Sequence, residues 1–289
     1  MADGRTGKPQ KVLVTGGSGI LGRQFVPRLL EAGLEVQSIA LDPWPDAPCP
    51  HYVCDLESFG ETMEALQGFP TVLHLAAVHA EGRRTPATTF HENVVTTFNV
   101  FQAAALLGVA RVVWASSCHT GGGRWSRSHT PVSVPLSEAD HHETGDTYGL
   151  SKIVGETIAA HTRAWNGTSF VALRYGYVYA PDEYERVRAR WDDAEYWAHS
   201  LWNYVDARDA FEVTRRALTS DVSGSHVVYV TAADQSMNVP TRELVAEHLP
   251  GTTVHPDLAE YGSLMSLETS RRLFDFVPRH SWREALTVT

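Results

Sequence analysis

Short runs of β-branched and apolar residues alternate, over the first 175 residues, with longer segments whose apolar positions recur every three or four residues. The short runs are typical of buried parallel strands, and the longer segments of amphipathic helices. Their alternation favours a parallel sheet with helices on both faces. The pattern predicts strands over 11–15, 36–41, 52–54, 71–76, 111–115 and 169–174, and helices over 20–31, 57–67, 88–107 and 147–165.

After residue 175 this alternation breaks down. Residues 184–199 are charged and aromatic and predict a helix over the sheet edge, followed by a helix over 209–219 and a strand over 226–230. Residues 120–146 predict a long loop, and loops of that length are usually functional. We expect a disordered tail at 1–10, a doubly wound parallel sheet (Rossmann fold) over 11–175, and a small C-terminal capping region over 176–289 that also returns elements to the sheet.

A glycine-rich turn separates the first predicted strand from the first helix, with Gly16, Gly19 and Gly22 around Ile20. Glycines let the backbone turn sharply and approach a pyrophosphate, while the helix N-terminus offers free N–H groups. Asp42 ends the second predicted strand, where an acid accepts hydrogen bonds from the adenosine ribose hydroxyls. Because a carboxylate there would repel a 2′-phosphate, the sequence predicts NAD rather than NADP as cofactor.

Tyr148 and Lys152 lie four residues apart and therefore on one face of a predicted helix. A nearby ammonium favours the phenolate and would lower the phenol pKa, so Tyr148 becomes a candidate general base. Ser117 ends a central strand, at the sheet edge where α/β proteins bind ligands. Its hydroxyl is placed to hold the substrate oxygen that Tyr148 deprotonates.

The composition narrows the possible partners. The net charge of −10 argues against nucleic-acid or anionic-membrane partners, and three cysteines form no even disulfide framework. We find no apolar run of membrane-spanning length, no signal peptide and no metal-ligand spacing among the 14 histidines. We therefore expect a cytoplasmic protein without a metal site.

Several further segments carry a family resemblance: Asp55-Leu56, His74 to Ala77, Asn93-Val94, Ser116-Ser117, Tyr148 to Lys152 and Leu173 to Tyr179. With the glycine turn, they resemble the extended short-chain dehydrogenases/reductases of the NAD-dependent epimerase/dehydratase family. The resemblance implies that Asp55 and Leu56 border the adenine, that Leu75, Ala76 and Ala77 line the cofactor, and that Asn93 supports a proton relay. It also implies a homodimer formed through the helices at 88–107 and 147–165.

A narrower similarity is to uronate dehydrogenases, which have Ser-Ser-Asn-His-Thr where this chain has Ser116 to Thr120. They also carry a substrate-binding Arg followed five residues later by Trp, a spacing matched by Arg186 and Trp191. Three positions differ, since Cys118 replaces the Asn and His79 and Tyr177 replace serines. The resemblance implies substrate contacts from His79, Ser117, His119, Tyr177 and Arg186.

The leading hypothesis is an NAD-dependent oxidoreductase acting on a sugar or sugar-acid hydroxyl. A nucleotide-sugar epimerase would use the same residues and is the main alternative. A non-catalytic NAD(H)-sensing homologue is a third possibility, although such proteins usually lose the tyrosine or lysine kept here at Tyr148 and Lys152.

Overall fold

The computed structural model describes residues 10–79, 84–121, 130–140 and 144–287. The strands are β1 (Lys11–Thr15), β2 (Glu35–Ala40), β3 (His51–Val53), β4 (Thr71–His74), β5 (Arg111–Ser117), β6 (Ser133–Val134), β7 (Ser169–Tyr175), β8 (Tyr177–Tyr179), β9 (Tyr204–Asp206), β10 (Ser225–Val230) and β11 (Thr253–Val254). The helices are α1 (Ile20–Glu31), α2 (Phe59–Leu66), α3 (Pro86–Leu107), α4 (Thr147–Asn166), α5 (Tyr184–Arg188), α6 (Ala194–Ala198), α7 (Ala207–Thr219), α8 (Thr241–His248), α9 (Glu268–Phe274) and α10 (Trp282–Thr287).

Seven parallel strands form the central sheet in the order β10-β7-β5-β4-β1-β2-β3. The chain runs outward from β1 through β2 to β3 and then returns to place β4 on the other side of β1. The strand order therefore reverses between β1 and β4, and a crevice at the carboxyl edge of such a switch point is where ligands bind in this architecture. The predicted doubly wound parallel sheet is confirmed.

Helices cover both faces of the sheet because the strands are apolar on both sides. On one face α1, α7 and α9 bury Phe25, Leu29, Val213 and Phe274 against the strands. On the other face α2, α3 and α4 bury Leu66, Phe101 and Ala159. The alternation of strand and helix in the sequence thus produces the expected three layers.

A third apolar cluster lies under the segments after β7. Tyr184, Trp197 and Trp202 pack there with Leu244 and Trp282. Helix α7 packs on one face of the main sheet, and β10 pairs with β7 at the edge of that sheet, so the capping region returns elements to the sheet as the sequence predicts. A domain boundary at residue 175 stays a prediction, since the two parts share these elements.

Several predicted boundaries were wrong by one to three residues. β4 ends at His74 rather than at residue 76, and β5 continues to Ser117, so Ser117 is the last residue of its strand. The predicted helix over 184–199 is two short helices, α5 and α6, with residues 189–193 between them. The charged and aromatic composition gave no signal for this break.

Two predictions concern segments that the structure describes only in part. Gln10 is not in a disordered tail, because its side chain donates to Thr71 Oγ1 at 3.0 Å and to the Leu218 carbonyl at 3.0 Å. Residues 1–9 lie outside the described residues. Within the predicted loop, β6 pairs in parallel with β11 of the capping region, while residues 122–129 and 141–143 lie outside the description.

Candidate active site

One large cavity of about 1150 Å³ opens at the carboxyl edge of the sheet and extends under the capping segments. Every site residue proposed from the sequence lines it: Gly16, Gly19, Ile20, Gly22, Asp42, Asp55, Leu56, Leu75, Ala76, Ala77, His79, Asn93, Ser117, His119, Tyr148, Lys152, Tyr177 and Arg186. Residues from β1 to α5 therefore meet at one place. Their individual roles stay predictions.

The glycine turn forms one end of this cavity. Gly16 has φ +70°, and a Cβ there would lie 2.7 Å from the backbone nitrogen of Ala76. A Cβ at Gly22 would overlap the carbonyl oxygen of Gly16. Both positions therefore require glycine, because backbone packs directly on backbone at the switch point. The first turn of α1 is left with its N–H groups at the cavity, which is the environment that a pyrophosphate prefers.

Two acids stand where the sequence places the adenosine. Asp42 follows β2, and its carbonyl oxygen is held by His51 Nε2 at 3.2 Å. The Asp55 carboxylate accepts from the Glu57 backbone N–H at 2.9 Å, while its own N–H donates to Glu61 at 2.9 Å. The acids are therefore fixed by their own turns, and they leave the cavity wall here negatively charged.

The floor of the cavity depends on a buried histidine. Thr15 Oγ1 accepts from the Ala76 N–H at 3.3 Å and hydrogen bonds with His74 Nδ1 at 2.7 Å. The other ring nitrogen, His74 Nε2, faces Thr97 Oγ1 at 3.4 Å. Burial, aided by the nearby Lys152 charge, lowers the His74 pKa to about 3. The neutral imidazole therefore fixes the Thr15 hydroxyl, and that hydroxyl holds the Ala76 N–H beside the glycine turn.

Ser117, Tyr148 and Lys152 come together near the middle of the cavity. Ser117 ends β5 and lines the cavity together with Tyr148, which lies near the start of α4; the Ser117 hydroxyl accepts from the His119 N–H at 3.1 Å. One turn further along α4, Lys152 Nζ donates to the Ala115 carbonyl at 2.8 Å and lies 5.5 Å from the Tyr148 ring centroid. The helix spacing and the strand end thus bring the candidate base, the cation and the hydroxyl to one part of the cavity.

The predicted lowering of the Tyr148 pKa was wrong for the protein alone. Burial raises the Tyr148 pKa to about 12, an effect larger than the lowering by the Ser117 hydrogen bond. Burial also lowers the Lys152 pKa to about 8. Residue spacing indicates only the attraction between the two side chains. Loss of hydration on burial disfavours both the Tyr148 phenolate and the Lys152 ammonium.

Asn93 joins three elements around this point. Its Oδ1 accepts from the Val78 N–H at 2.7 Å, and its Nδ2 donates to the Val78 carbonyl at 3.0 Å. Nδ2 also faces Ser151 Oγ at 3.2 Å, and Ser151 donates to the Tyr148 carbonyl at 2.6 Å. Asn93 therefore fixes the segment after β4 relative to the helix that carries Tyr148.

Aromatic and imidazole rings form the opposite end of the cavity. The His119 ring lies 5.6 Å from the Tyr148 ring and 6.1 Å from the Tyr177 ring, and its Nδ1 donates to Asp146 at 3.2 Å. Tyr177 Oη lies 3.1 Å from His199 Nε2, and its ring packs 5.0 Å from Trp197. We call Tyr148, His119, Tyr177, Trp197 and His199 the ring wall.

Arg186 lines the cavity from α5 but remains 69% exposed, and it forms an ion pair with Glu183 at 2.6 Å. Its guanidinium carbon lies 5.9 Å from the Tyr179 ring centroid. Trp191, the other half of the Arg–Trp spacing, instead packs on Trp282 at 5.4 Å. The structure thus places only the arginine of this pair at the cavity.

The cavity also has lining residues that the sequence did not reveal. Arg84 and Glu92 form an ion pair at 3.1 Å at the wall near Asn93, and Tyr196 and His199 reach the cavity from α6 and the residues just after it. Isolated arginines and histidines have no sequence pattern that marks them as ligands. The break between α5 and α6, which directs the α6 residues inward, was also unpredicted.

The fold and the cavity together define a dinucleotide-dependent enzyme of the short-chain dehydrogenase/reductase type. The residues fit such a cofactor, because two glycines keep a backbone cradle open at a helix N-terminus and an acid stands at the tip of β2. The chain belongs to the NAD dependent epimerase/dehydratase family, whose model matches residues 12–231. Membership confirms the predicted family and NAD as the cofactor.

Several proteins similar to this chain are sugar enzymes. The NAD-dependent glucose-6-phosphate dehydrogenase of Haloferax volcanii is 28% identical over 63% of this chain, which spans 75% of that relative. The uronate dehydrogenase of Pseudomonas putida is 27% identical over 63% of this chain, which spans 66% of it. Among solved structures, MoeE5 in complex with UDP-glucose and NAD is similar with a TM-score of 0.70 and 25% identity, covering 96% of each chain.

A membrane-spanning helix or a cluster of metal ligands would indicate other functions, and the described part of the chain contains neither. No helix there is both long and apolar enough to cross a membrane. Within the same residues, no three His, Cys, Asp or Glu side chains are grouped so that they could hold a metal ion.

Proposed function

We propose that this protein is an NAD-dependent oxidoreductase that oxidises a hydroxyl of a sugar or sugar acid, in the manner of a uronate dehydrogenase. The observation that carries the proposal is the order of groups along one cavity. The glycine turn, Ser117 with Tyr148, and the ring wall follow one another from the sheet edge to the capping segments. A sugar in contact with the ring wall would present a hydroxyl to Tyr148.

The chain's own residues would then act in sequence on that hydroxyl. Ser117 Oγ holds the substrate oxygen. Tyr148 Oη takes the proton of that oxygen as a phenolate, after its own phenol proton has been lost to solvent; the Lys152 ammonium, and the positive nicotinamide of NAD when bound, would favour this loss against the effect of burial. Lys152 keeps a positive charge 5.5 Å from the phenol ring, and Asn93 holds the helix that carries both in place. NAD, when bound, accepts a hydride from the carbon that bears the hydroxyl.

Absorbance of NADH tests the reaction directly. The purified protein is incubated with NAD and, separately, glucuronate, galacturonate, glucose, glucose 6-phosphate and UDP-glucose. We expect NADH to accumulate with at least one free sugar or sugar acid. The proposal fails if UDP-glucose is converted to its 4-epimer with no net NADH while no free sugar is oxidised, which would identify an epimerase instead.

The ring wall favours the dehydrogenase over the epimerase. The rings of Tyr148, His119 and Tyr177 follow one another along the cavity. The centroid of the His119 ring lies 5.6 Å from that of Tyr148 and 6.1 Å from that of Tyr177. The planes of neighbouring rings are tilted by 82° and 63°, so the rings enclose a short end of the cavity, which suits one small sugar better than a nucleotide sugar. Because Tyr177 is bulkier than the serine of uronate dehydrogenases, it narrows this end of the cavity.

Arg186 is our candidate for recognising a substrate carboxylate, since a guanidinium forms forked bonds to carboxylates. Arg186→Ala should lower kcat/KM for a uronate by roughly ten- to 150-fold, corresponding to about 1.5–3 kcal/mol, and should change the neutral sugar little. Arg186→Lys should recover only part of the loss. Arg188→Ala is the matched control, because Arg188 lies on the same helix and pairs with Glu185 at 3.6 Å. Equal losses on both sugars would make Arg186 structural.

We also propose a homodimer formed through α3 and α4, and a cytoplasmic location. The two helices pack extensively on each other and present the exposed apolar side chains of Phe98, Leu106, Leu150 and Trp165. Exposed apolar side chains of this size favour a partner surface. Sedimentation velocity at micromolar protein measures the mass, and a monomer would contradict the dimer.

A further inference from the structure

Among the described residues, Arg186 is the arginine at the far end of the cavity, and its charge is balanced by an acid. Arg186 pairs with Glu183 at 2.6 Å, and Glu183 also accepts from the Ala180 N–H at 2.9 Å. The pair is therefore held in place by the backbone. An anionic substrate group at this end meets a net charge near zero unless another group supplies a proton.

His199 and His119 are the described imidazoles of the ring wall, and His119 already faces the Asp146 carboxylate. His199 stands immediately after α6, lines the cavity, and forms a hydrogen bond of 3.1 Å with Tyr177 Oη. Its ring stacks on Trp197 with an interplanar angle of 20° and a centroid distance of 6.4 Å. At that separation the indole contributes little to a cationic imidazole. The Tyr177 hydroxyl, however, can donate to a neutral ring nitrogen or accept from a protonated one, so this position suits both charge states.

The groups around His199 come from several elements. Tyr177 from β8 and Tyr196 from α6 face its ring, the latter at 6.4 Å. Beyond Tyr196 lies Arg190, 4.3 Å from that ring and paired with Asp193 at 3.3 Å. On the other side of Tyr177, His119 pairs with Asp146 at 3.2 Å, and across the cavity end lies the Arg186–Glu183 pair. Among the described residues, each of these arginines is paired with an acid, and Glu195, four residues before His199 on α6, adds a further negative charge.

We propose that His199 is a specificity-determining residue: it supplies, by taking up a proton, the net positive charge that selects a sugar acid over its neutral parent sugar. The inference rests on the proposed function and deepens it. The role of His199 differs from that of Arg186. Arg186 is the candidate for forked hydrogen bonds to the substrate carboxylate at any pH, whereas the charge of His199 depends on pH. The substrate class is a sugar carrying a carboxylate away from the reacting carbon.

The test compares glucuronate with glucose at pH 6.0 and pH 8.0, measuring kcat/KM with saturating NAD. An ordinary imidazole changes charge between these values. We expect the ratio of kcat/KM for the acid to that for the neutral sugar to be about tenfold or more higher at pH 6.0. In His199→Gln, which keeps a hydrogen-bonding group but no charge, the ratio should change less than about twofold. Effects of Tyr148 on the chemistry cancel in the ratio.

His248→Gln is the matched control, because His248 packs on Trp202 at 5.8 Å in the same capping cluster but does not line the cavity. It should keep the pH dependence of the wild type. A ratio that is independent of pH in the wild type, or one that keeps its pH dependence in His199→Gln, overturns the inference while leaving an NAD-dependent dehydrogenase in place.

If neither sugar reduces NAD, the proposed function fails with these substrates, and the inference is then decided by binding. Calorimetric titration of glucuronate into the NAD-loaded protein should give about tenfold tighter binding at pH 6.0 than at pH 8.0. His199→Gln should remove that difference. Affinities that do not depend on pH in the wild type would overturn the inference independently of turnover.

Discussion

A buried ion pair one helical turn beyond Lys152 is the structural feature whose disruption we can predict in most detail. Arg174 donates from Nε and Nη2 to the two oxygens of Glu156 at 2.9 and 2.7 Å. Ser116 Oγ donates to the same carboxylate at 2.6 Å, and Arg174 Nη1 donates to Tyr229 Oη at 3.2 Å. The Arg174 and Glu156 side chains are only 7% and 11% exposed.

Glu156→Gln removes the negative charge and leaves the Arg174 guanidinium buried without a counter-charge. Breaking a buried pair in this way costs about 3–5 kcal/mol. A chain of this length unfolds with an entropy of about 0.6 kcal/mol/K, so Tm should fall by about 5–8 °C. Glu185→Gln is the control, since its pair with Arg188 is exposed and should contribute less than about 1 kcal/mol.

The same substitution should change catalysis through Lys152. The Glu156 charge raises the Lys152 pKa, opposing the lowering by burial that leaves it at about 8. Without Glu156 the Lys152 pKa should fall by about one unit or more, so the ammonium is lost at lower pH. The limb of the kcat/KM profile that reports Lys152 deprotonation should move to lower pH by the same amount.

Differential scanning calorimetry and pH-rate profiles of both variants test this reasoning. A double variant, Glu156→Leu with Arg174→Met, should recover most of the lost stability, because it removes both buried charges together. Our reasoning would be refuted if Glu156→Gln unfolded within about 1 °C of Glu185→Gln. A large loss of Tm with an unchanged pH profile would confine Glu156 to a structural role.

Three further predictions follow from the site. Tyr148→Phe should lower kcat by at least roughly a hundredfold with NAD affinity little changed, because it removes only the general base; near-normal turnover in a steady-state assay would exclude that role. Asp42→Ala should narrow the preference for NAD over NADP in calorimetric titrations, and tighter binding of NADP than NAD by the unmutated protein would contradict the assignment. His74 stays neutral in the folded protein down to its pKa of about 3, whereas the unfolded chain binds a proton there below about pH 6.5. Stability should therefore fall as the pH drops through this window, by up to about 1.4 kcal/mol per pH unit from this group. In His74→Asn the free energy of unfolding from urea titrations should depend less steeply on pH between 6 and 4, and an unchanged slope would show that His74 contributes nothing.

The sequence alone determined the sheet, the position of the glycine turn and Asp42 at one cavity, and the set of candidate reacting groups. These features are local: the glycine turn, Asp42 after β2, Ser117 at a strand end and Tyr148 one turn from Lys152 each depend on a few neighbouring residues. Parallel topology then brings the carboxyl ends of the strands to one edge. Local pattern and topology together therefore sufficed to place them in one cavity.

Tertiary structure decided the pKa of Tyr148 and the arrangement of the ring wall at the capping end of the cavity. The Tyr148 pKa was predicted with the wrong sign, because desolvation depends on everything that covers a side chain and has no counterpart in residue spacing. His199 went unrecognised because it follows α6, which begins after a break that the sequence does not show, and because its partner Tyr177 lies in a different element, β8. Contacts between irregular segments far apart in the chain are set by packing rather than by periodicity, so the ring wall could be found only in the folded protein.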